Sequence, residues 1–279
     1  MDKNYILALL MSTIAGLSTV IGGFVTFFIK QNSLKFLSFG LGLSAGVMLF
    51  ISLVDLYPES VESVKTQMGS NYVWLSVLLF GAGILIAVLI DYFIPDHIQN
   101  QMFVKQIGAN ENHVDSTDCE HNHNAEISIG KIKKAGIVTT IVVAIHNFPE
   151  GLATFFMTAE NFMLGLGIVF AIAIHNIPEG IAVALPIYHS TGKKRYAMLY
   201  AALSGITEPI GALVGMMLFG LFLPHIFVGC LMSGVAGIMT YISFDTLLPL
   251  AKEYGNWHLS IVGIMSGIIF IWLSLILLG

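Results

Sequence analysis

Long apolar blocks separated by short polar segments make up most of this chain. Each block is close to the roughly 20 residues that a helix needs to cross the hydrocarbon of a bilayer. The pattern predicts eight membrane-spanning helices, at about residues 5–29, 34–57, 72–94, 132–159, 163–188, 196–222, 226–250 and 258–279. No small-residue cleavage site follows a short apolar core, so we expect the first block to be a retained helix rather than a signal peptide.

Composition agrees with a membrane setting. Hydrophobic residues form 56% and charged residues only 10% of the 279 positions, which is far from the usage of soluble domains. We therefore expect an all-α, multi-pass membrane protein with one transmembrane domain over residues 1–279. The net charge of -5 belongs to connections and buried positions, and we expect no nucleic-acid partner.

The basic residues predict the orientation, because Lys and Arg accumulate in cytoplasmic connections. The connections after the first, third, fifth and seventh helices, with the residues beside them, contain Lys30, Lys35, Lys105, Lys131, Lys133, Lys134, Lys193, Lys194, Arg195 and Lys252. Only Lys3 and Lys65 fall on the opposite face. This distribution places both chain ends outside the cytoplasm.

Two copies of one motif interrupt the apolar pattern: A-I-H-N-F-P-E-G-L-A at residues 144–153 and A-I-H-N-I-P-E-G-I-A at residues 173–182. An ionisable side chain in hydrocarbon costs a few kcal/mol or more, so intramembrane His and Glu usually face one another, a cation or a water-filled path. The motifs lie in the fourth and fifth predicted helices. Two copies predict one shared site.

Within the first copy, Glu150 lies within one helical turn of both His146 and Asn147. If the two helices face each other, imidazole and carboxylate groups can surround one cation, while amide oxygens and the same carboxylates surround a second. Pro149 and Pro178 are expected to kink the helices there. The second copy supplies the equivalent set, which is His175, Asn176 and Glu179.

Mixed imidazole and carboxylate ligands suit zinc, iron, manganese, cobalt or cadmium better than magnesium or calcium. The motifs contain no thiolate, which argues against Cu(I). A purely structural role, in which the same side chains only hydrogen-bond across helices, is the alternative. The duplication of the motif argues against that alternative.

Three further acidic residues are candidates. Glu208 precedes a proline in the sixth helix, where it could complete the Asn-containing site. Asp55 and Asp245 lie near the ends of the second and seventh helices. They are candidate relay ligands on the outer and inner sides, although acids at helix ends are often simply solvated.

The connection at residues 95–130 changes to Asn, Asp, Glu and His, so we expect a flexible cytoplasmic loop. Its His113, His121 and His123 are candidates for buffering or sensing a metal that leaves the site. A solvated linker with incidental histidines is the alternative.

The chain also repeats itself over a long interval. Residues 45–52 match residues 236–243, and Gly16 and Gly22 match Gly205 and Gly211. In each match the two helices cross the bilayer in opposite directions, as in the inverted repeats of secondary transporters. For the glycine match alone, chance recurrence of small residues in a packed bundle remains an equal alternative.

Together, H-N-F-P-E-G, H-N-I-P-E-G, S-G-I-T-E-P and the His-bearing loop resemble the ZIP (Zrt- and Irt-like) divalent metal transporters, and within them the bacterial ZupT branch. The resemblance covers essentially the whole chain. It implies a first metal site of His146, Glu150, His175 and Glu179. It implies a second site of Asn147, Asn176 and Glu208 with the shared glutamates.

The resemblance further implies eight helices in a three-two-three inverted arrangement, homodimers, and an alternating-access or elevator-like movement in the bacterial cytoplasmic membrane. Zinc, iron or a related divalent cation would be the imported substrate, and no cofactor is expected. An intramembrane zinc hydrolase is the rival function, but the chain lacks the H-E-x-x-H spacing of metalloproteases. A metal sensor without flux is the third possibility.

Overall fold

The computed structural model describes residues 3–31, 33–94, 116–160, 162–218, 225–253 and 256–278. Within these residues, eight helices are long and apolar enough to cross a membrane, which confirms the predicted all-α membrane fold. They are α1 (Lys3–Phe24, continued by a 3₁₀ turn at Val25–Phe28), α2 (Leu34–Phe50, Ile51–Leu56 and Tyr57–Met68), α3 (Val73–Phe93), α4 (Ser116–Glu160), α5 (Phe162–Thr191), α6 (Lys194–Gly205 and Thr207–Leu218), α7 (His225–Ile242, Ser243–Leu247 and Leu248–Glu253) and α8 (Trp257–Leu278).

Helix α4 begins earlier than the sequence predicted. The predicted loop extended to about residue 130, but the chain is helical from Ser116 onwards. Acidic residues near Ser116, such as Asp118 and Glu120, favour a helix start there, because negative charge is stabilised by the positive N-terminal end of the helix dipole. His121 and His123 therefore lie on this helical extension, whereas His113 lies outside the described residues.

Helices α2 and α7 each contain a short π-helical segment, at Ile51–Leu56 and Ser243–Leu247. A proline follows each segment, Pro58 and Pro249, and neither can donate a backbone hydrogen bond to the carbonyl four residues earlier. The wider turn of the π-helix accommodates the proline, which lacks a backbone N–H, and the chain remains helical. The sequence repeat found these two stretches but did not predict their π geometry.

The helices pack as two groups, α1 with α4, α5 and α6, and α2 with α3, α7 and α8. The packing of the first three helices is repeated by the last three. The pair α1 and α5 corresponds to the pair α6 and α4, and the pair α2 and α8 corresponds to the pair α7 and α3. Close backbone contacts repeat too, because a Cβ at Gly22 would overlap the carbonyl oxygen of Ile177, and one at Gly211 would overlap that of Phe148. These pairings are those expected for inverted repeats. The motif helices lie inside the first group.

Candidate metal site

Each motif helix places its histidine against the glutamate of the other. His146 Nε2 of α4 lies 3.0 Å from Glu179 Oε1 of α5. His175 Nε2 of α5 lies 3.7 Å from Glu150 Oε1 of α4. Helices α4 and α5 run through Pro149 and Pro178 without a break, so each motif keeps its helical spacing. The structure thus brings both motifs to one place, as the sequence predicted.

The asparagines lie beside this double pair. Asn176 Nδ2 donates to Glu208 Oε2 at 2.8 Å, which joins α5 to α6. Asn147 Nδ2 donates to the carbonyl oxygen of Ser204 at 3.2 Å. Each amide nitrogen is therefore held by a neighbouring helix, and each amide oxygen is left available.

All seven candidate ligands, six from the motifs and Glu208 from α6, are buried, and the most exposed of them, His175, is only 8% exposed. The two His Nε2 atoms face carboxylates without the alignment of a hydrogen bond. Among the described residues, other buried polar atoms of this group that have no hydrogen-bond partner are His146 Nδ1, Asn147 Oδ1, both carboxylate oxygens of Glu150 and Glu179, Asn176 Oδ1 and Glu208 Oε1.

Buried polar atoms in proteins are almost always hydrogen-bonded, so a concentration of unpaired ones calls for an explanation. Here the unpaired atoms are lone-pair donors of three kinds: imidazole nitrogen, carboxylate oxygen and amide oxygen. Such a donor set fits a divalent cation of the zinc and iron type. Within the described ranges, however, no three His, Cys, Asp or Glu side chains are already gathered into one metal-binding cluster. The histidine and glutamate side chains are arranged as two pairs.

A cavity of about 530 Å³ reaches this group from one side of the bundle. Glu150 and His175 line it, and so do Ser274 and Leu275 of the C-terminal helix α8. Asp55 lines the same cavity, so this candidate shares a cavity with Glu150 and His175. The sequence did not single out Glu59, which lines the cavity one turn beyond Asp55.

The second relay candidate, Asp245, lies elsewhere. It lines a separate cavity of about 210 Å³ together with Asp91 and Lys134. Lys134 Nζ lies 3.5 Å from Asp91 Oδ1, and Lys131 Nζ lies 3.6 Å from Glu253 Oε1. The structure therefore surrounds Asp245 with charged residues from α3, α4 and α7 rather than with the motif residues.

Comparison with known proteins gives the family context. The family model described as "ZIP Zinc transporter" matches residues 4–275. A protein of Clostridium perfringens named "Zinc transporter ZupT" is 44% identical over 277 residues, covering 99% of this chain and 97% of that protein. Proteins of the same name from Streptococcus mutans and Lysinibacillus sphaericus are 41% and 39% identical; the matches cover 99% and 100% of this chain and 99% and 100% of those proteins.

Proposed function

Because this chain belongs to the ZIP family of metal transporters, we propose that it imports zinc into the cytoplasm through the site built by α4, α5 and α6. It is a multi-pass membrane transporter rather than an enzyme. The observation that carries the proposal is the convergence of unpaired, buried imidazole, carboxylate and amide atoms from both motifs. Lone pairs of this kind do not stabilise each other. In a cavity of low dielectric constant they stabilise a cation strongly.

The site holds two cations that share ligands. His146, His175, Glu150 and Glu179 bind the first cation, and the two His–Glu pairs already join them across the helix interface. The amide oxygens of Asn147 and Asn176, with Glu208 and the same two glutamates, bind the second cation. Support for this second set comes from the Asn176–Glu208 hydrogen bond.

The ligands accept several metals. Two imidazoles favour zinc, iron, manganese, cobalt and cadmium over magnesium and calcium, because the last two prefer oxygen ligands throughout. Ligand identity does not rank the first five, since the geometry and availability of each metal decide between them. Because the family model and the relatives are named for zinc, we propose zinc as the main substrate and the other four as further substrates.

Transport follows a path from the large cavity to the opposite face. With both chain ends outside the cytoplasm of the bacterial cell, the cavity that contains Asp55 and Ser274 opens outwards. The two groups of helices are the two bodies that move past each other to turn the site inwards. A second copy of the chain forms a homodimer with this one, as the family resemblance implies.

Uptake of radioactive zinc into proteoliposomes tests the function. Wild-type protein is expected to accumulate zinc, with cadmium, iron, manganese and cobalt competing, while calcium and magnesium do not compete. The variant Glu179→Ala is the negative control for the site. Zinc binding without accumulation would indicate a sensor and contradict the transport proposal, as would equal uptake by the wild type and Glu179→Ala.

A further inference from the structure

Thr19 of α1 corresponds to Glu208 of α6 in the sequence register that aligns the glycines of the two inverted repeats. Gly16 and Gly22 of α1 match Gly205 and Gly211 of α6, and the same register pairs residue 19 with residue 208. The contacts agree: a Cβ added to Gly16 would lie 3.3 Å from Glu208 Cβ, and one added to Gly205 would lie 3.2 Å from Thr19 Cβ. Each residue therefore faces the glycine of the other repeat.

The backbone contacts of Thr19 and Glu208 are also equivalent. The carbonyl oxygen of Thr19 lies against Gly180, directly after Glu179, and the carbonyl oxygen of Glu208 lies against Gly151, directly after Glu150. Thr19 thus touches the motif of α5 in the way that Glu208 touches the motif of α4.

The asparagine hydrogen bonds follow the same symmetry. Asn176 Nδ2 donates to the carbonyl oxygen of Ala15 at 3.1 Å, and Asn147 Nδ2 donates to the equivalent carbonyl, that of Ser204, at 3.2 Å. Asn176 also contacts Glu208. In the repeat, the counterpart of the Asn176–Glu208 pair is therefore Asn147 with Thr19.

The Thr19 hydroxyl is fully buried and has no hydrogen-bond partner among the described residues. A buried helical threonine ordinarily donates to a carbonyl three or four residues earlier, as Thr26 does to Gly23. For Thr19 the carbonyl of Ala15 is already shared, because Ser18 Oγ donates to it at 2.5 Å and Asn176 donates to it as well. The hydroxyl is thus left available for another partner.

We propose that Thr19 is a further residue of the Asn-containing metal site, where its hydroxyl contacts the cation or a water molecule bound to that cation. This inference rests on the proposed function. A hydroxyl accepts through its lone pairs and donates one hydrogen bond, so it serves either contact. One wall of the site then carries a carboxylate and the opposite wall a neutral group. A neutral hydroxyl binds a divalent cation less tightly than a second carboxylate would, and this favours release of the cation.

The first test measures equilibrium zinc binding to the purified, detergent-solubilised chain and to three variants. Thr19→Val keeps the shape but removes the hydroxyl, and we expect about a tenfold loss of affinity at one of the two zinc sites, in the range measured when groups supporting metal ligands are removed. Thr19→Ser should recover most of that loss. Thr26→Val is the matched control, because the Thr26 hydroxyl already bonds its own helix, and it should bind both ions like the wild type.

Unchanged affinity in Thr19→Val, or an equal loss in Thr26→Val, overturns the inference while the proposed function stands. A wild type that binds no zinc overturns both. A second test exchanges the repeat partners: the double variant Thr19→Glu with Glu208→Thr should bind the second zinc ion at least about tenfold more tightly than Glu208→Thr alone. Failure of the exchange to restore any affinity contradicts the placement of Thr19 at the site.

Discussion

His146 Nε2 and Glu179 Oε1 lie 3.0 Å apart, although they belong to different helices and different copies of the motif. The reciprocal contact, between His175 and Glu150, is longer at 3.7 Å. Each motif therefore supplies half of each pair, and neither helix holds a complete ligand set alone. The position of α4 relative to α5 consequently controls the site, and so do the contacts that fix it.

The α5 motif is also packed against α1, through a contact between Gly180 and Thr19. The variant Gly180→Ala places a Cβ where the carbonyl oxygen of Thr19 lies, so the two helices must separate. Overpacking of this kind costs ~1–3 kcal/mol. We expect a lower thermal unfolding midpoint and weaker zinc binding in detergent. Gly81→Ala is the control, because nothing lies within 4 Å of a Cβ there; equal behaviour of the two variants would contradict the packing described for Gly180.

A second prediction concerns orientation. A single cysteine introduced as Asn112→Cys, in a chain whose two native cysteines are replaced by serine, should react with an impermeant reagent only from the cytoplasmic side. Asn71→Cys, at the exposed turn between α2 and α3, should react only from outside. Labelling of position 112 from outside intact cells would show that the chain has the opposite orientation and that the cavity opens to the cytoplasm.

The His-bearing connection gives a third prediction. Replacement of His113, His121 and His123 by Ala should change the apparent affinity for zinc by a modest factor and leave the maximal uptake rate near normal. The reason is that, in the proposed mechanism, the buried candidate ligands of α4, α5 and α6 carry the transport step. Loss of uptake at normal membrane expression would instead assign an essential step to this segment.

Asp55 gives a fourth prediction. Because its carboxylate lines the same cavity as His175 and Glu150, we expect it to raise the local cation concentration there. Asp55→Asn should raise the KM for zinc uptake roughly threefold or more, since steering effects reach that size, with little change in the maximal rate. Glu62→Gln is the control: Glu62 is exposed and paired with Lys65 at 3.1 Å on the same helix. A normal KM in Asp55→Asn would remove Asp55 from the path.

Much of this arrangement could be predicted from sequence. Spans follow from apolar block length, and the burial of His146 and Glu179 follows from their position inside such blocks. The sequence could not predict that His146 pairs with Glu179 rather than with Glu150, because helical spacing describes neighbours within a helix and not across an interface. The start of α4 at Ser116 was also missed, since polar composition alone does not prevent a long helix from continuing.

The inverted repeat shows what comparison within the sequence can predict and what it cannot. The glycine match between α1 and α6 already paired Thr19 with Glu208, but hydroxyl and carboxylate do not resemble each other, so the pairing had no chemical meaning before the packing was known. Asp245 was a relay candidate for its position near a helix end. Its actual neighbours, among them Asp91 and Lys134, come from α3 and α4.

Metal occupancy in crystals of Glu179→Ala and Glu208→Ala soaked in zinc or cadmium tests the two-cation site most directly. In the proposed site Glu179 serves both cations, so its loss should empty both positions and abolish uptake. Glu208 contacts Asn176 and in the proposed site serves only the second cation. Glu208→Ala should therefore keep the His-containing position filled, with slower uptake or a changed preference among metals. Should Glu208→Ala empty both positions, or Glu179→Ala leave either one filled with wild-type affinity, the shared-carboxylate site is contradicted.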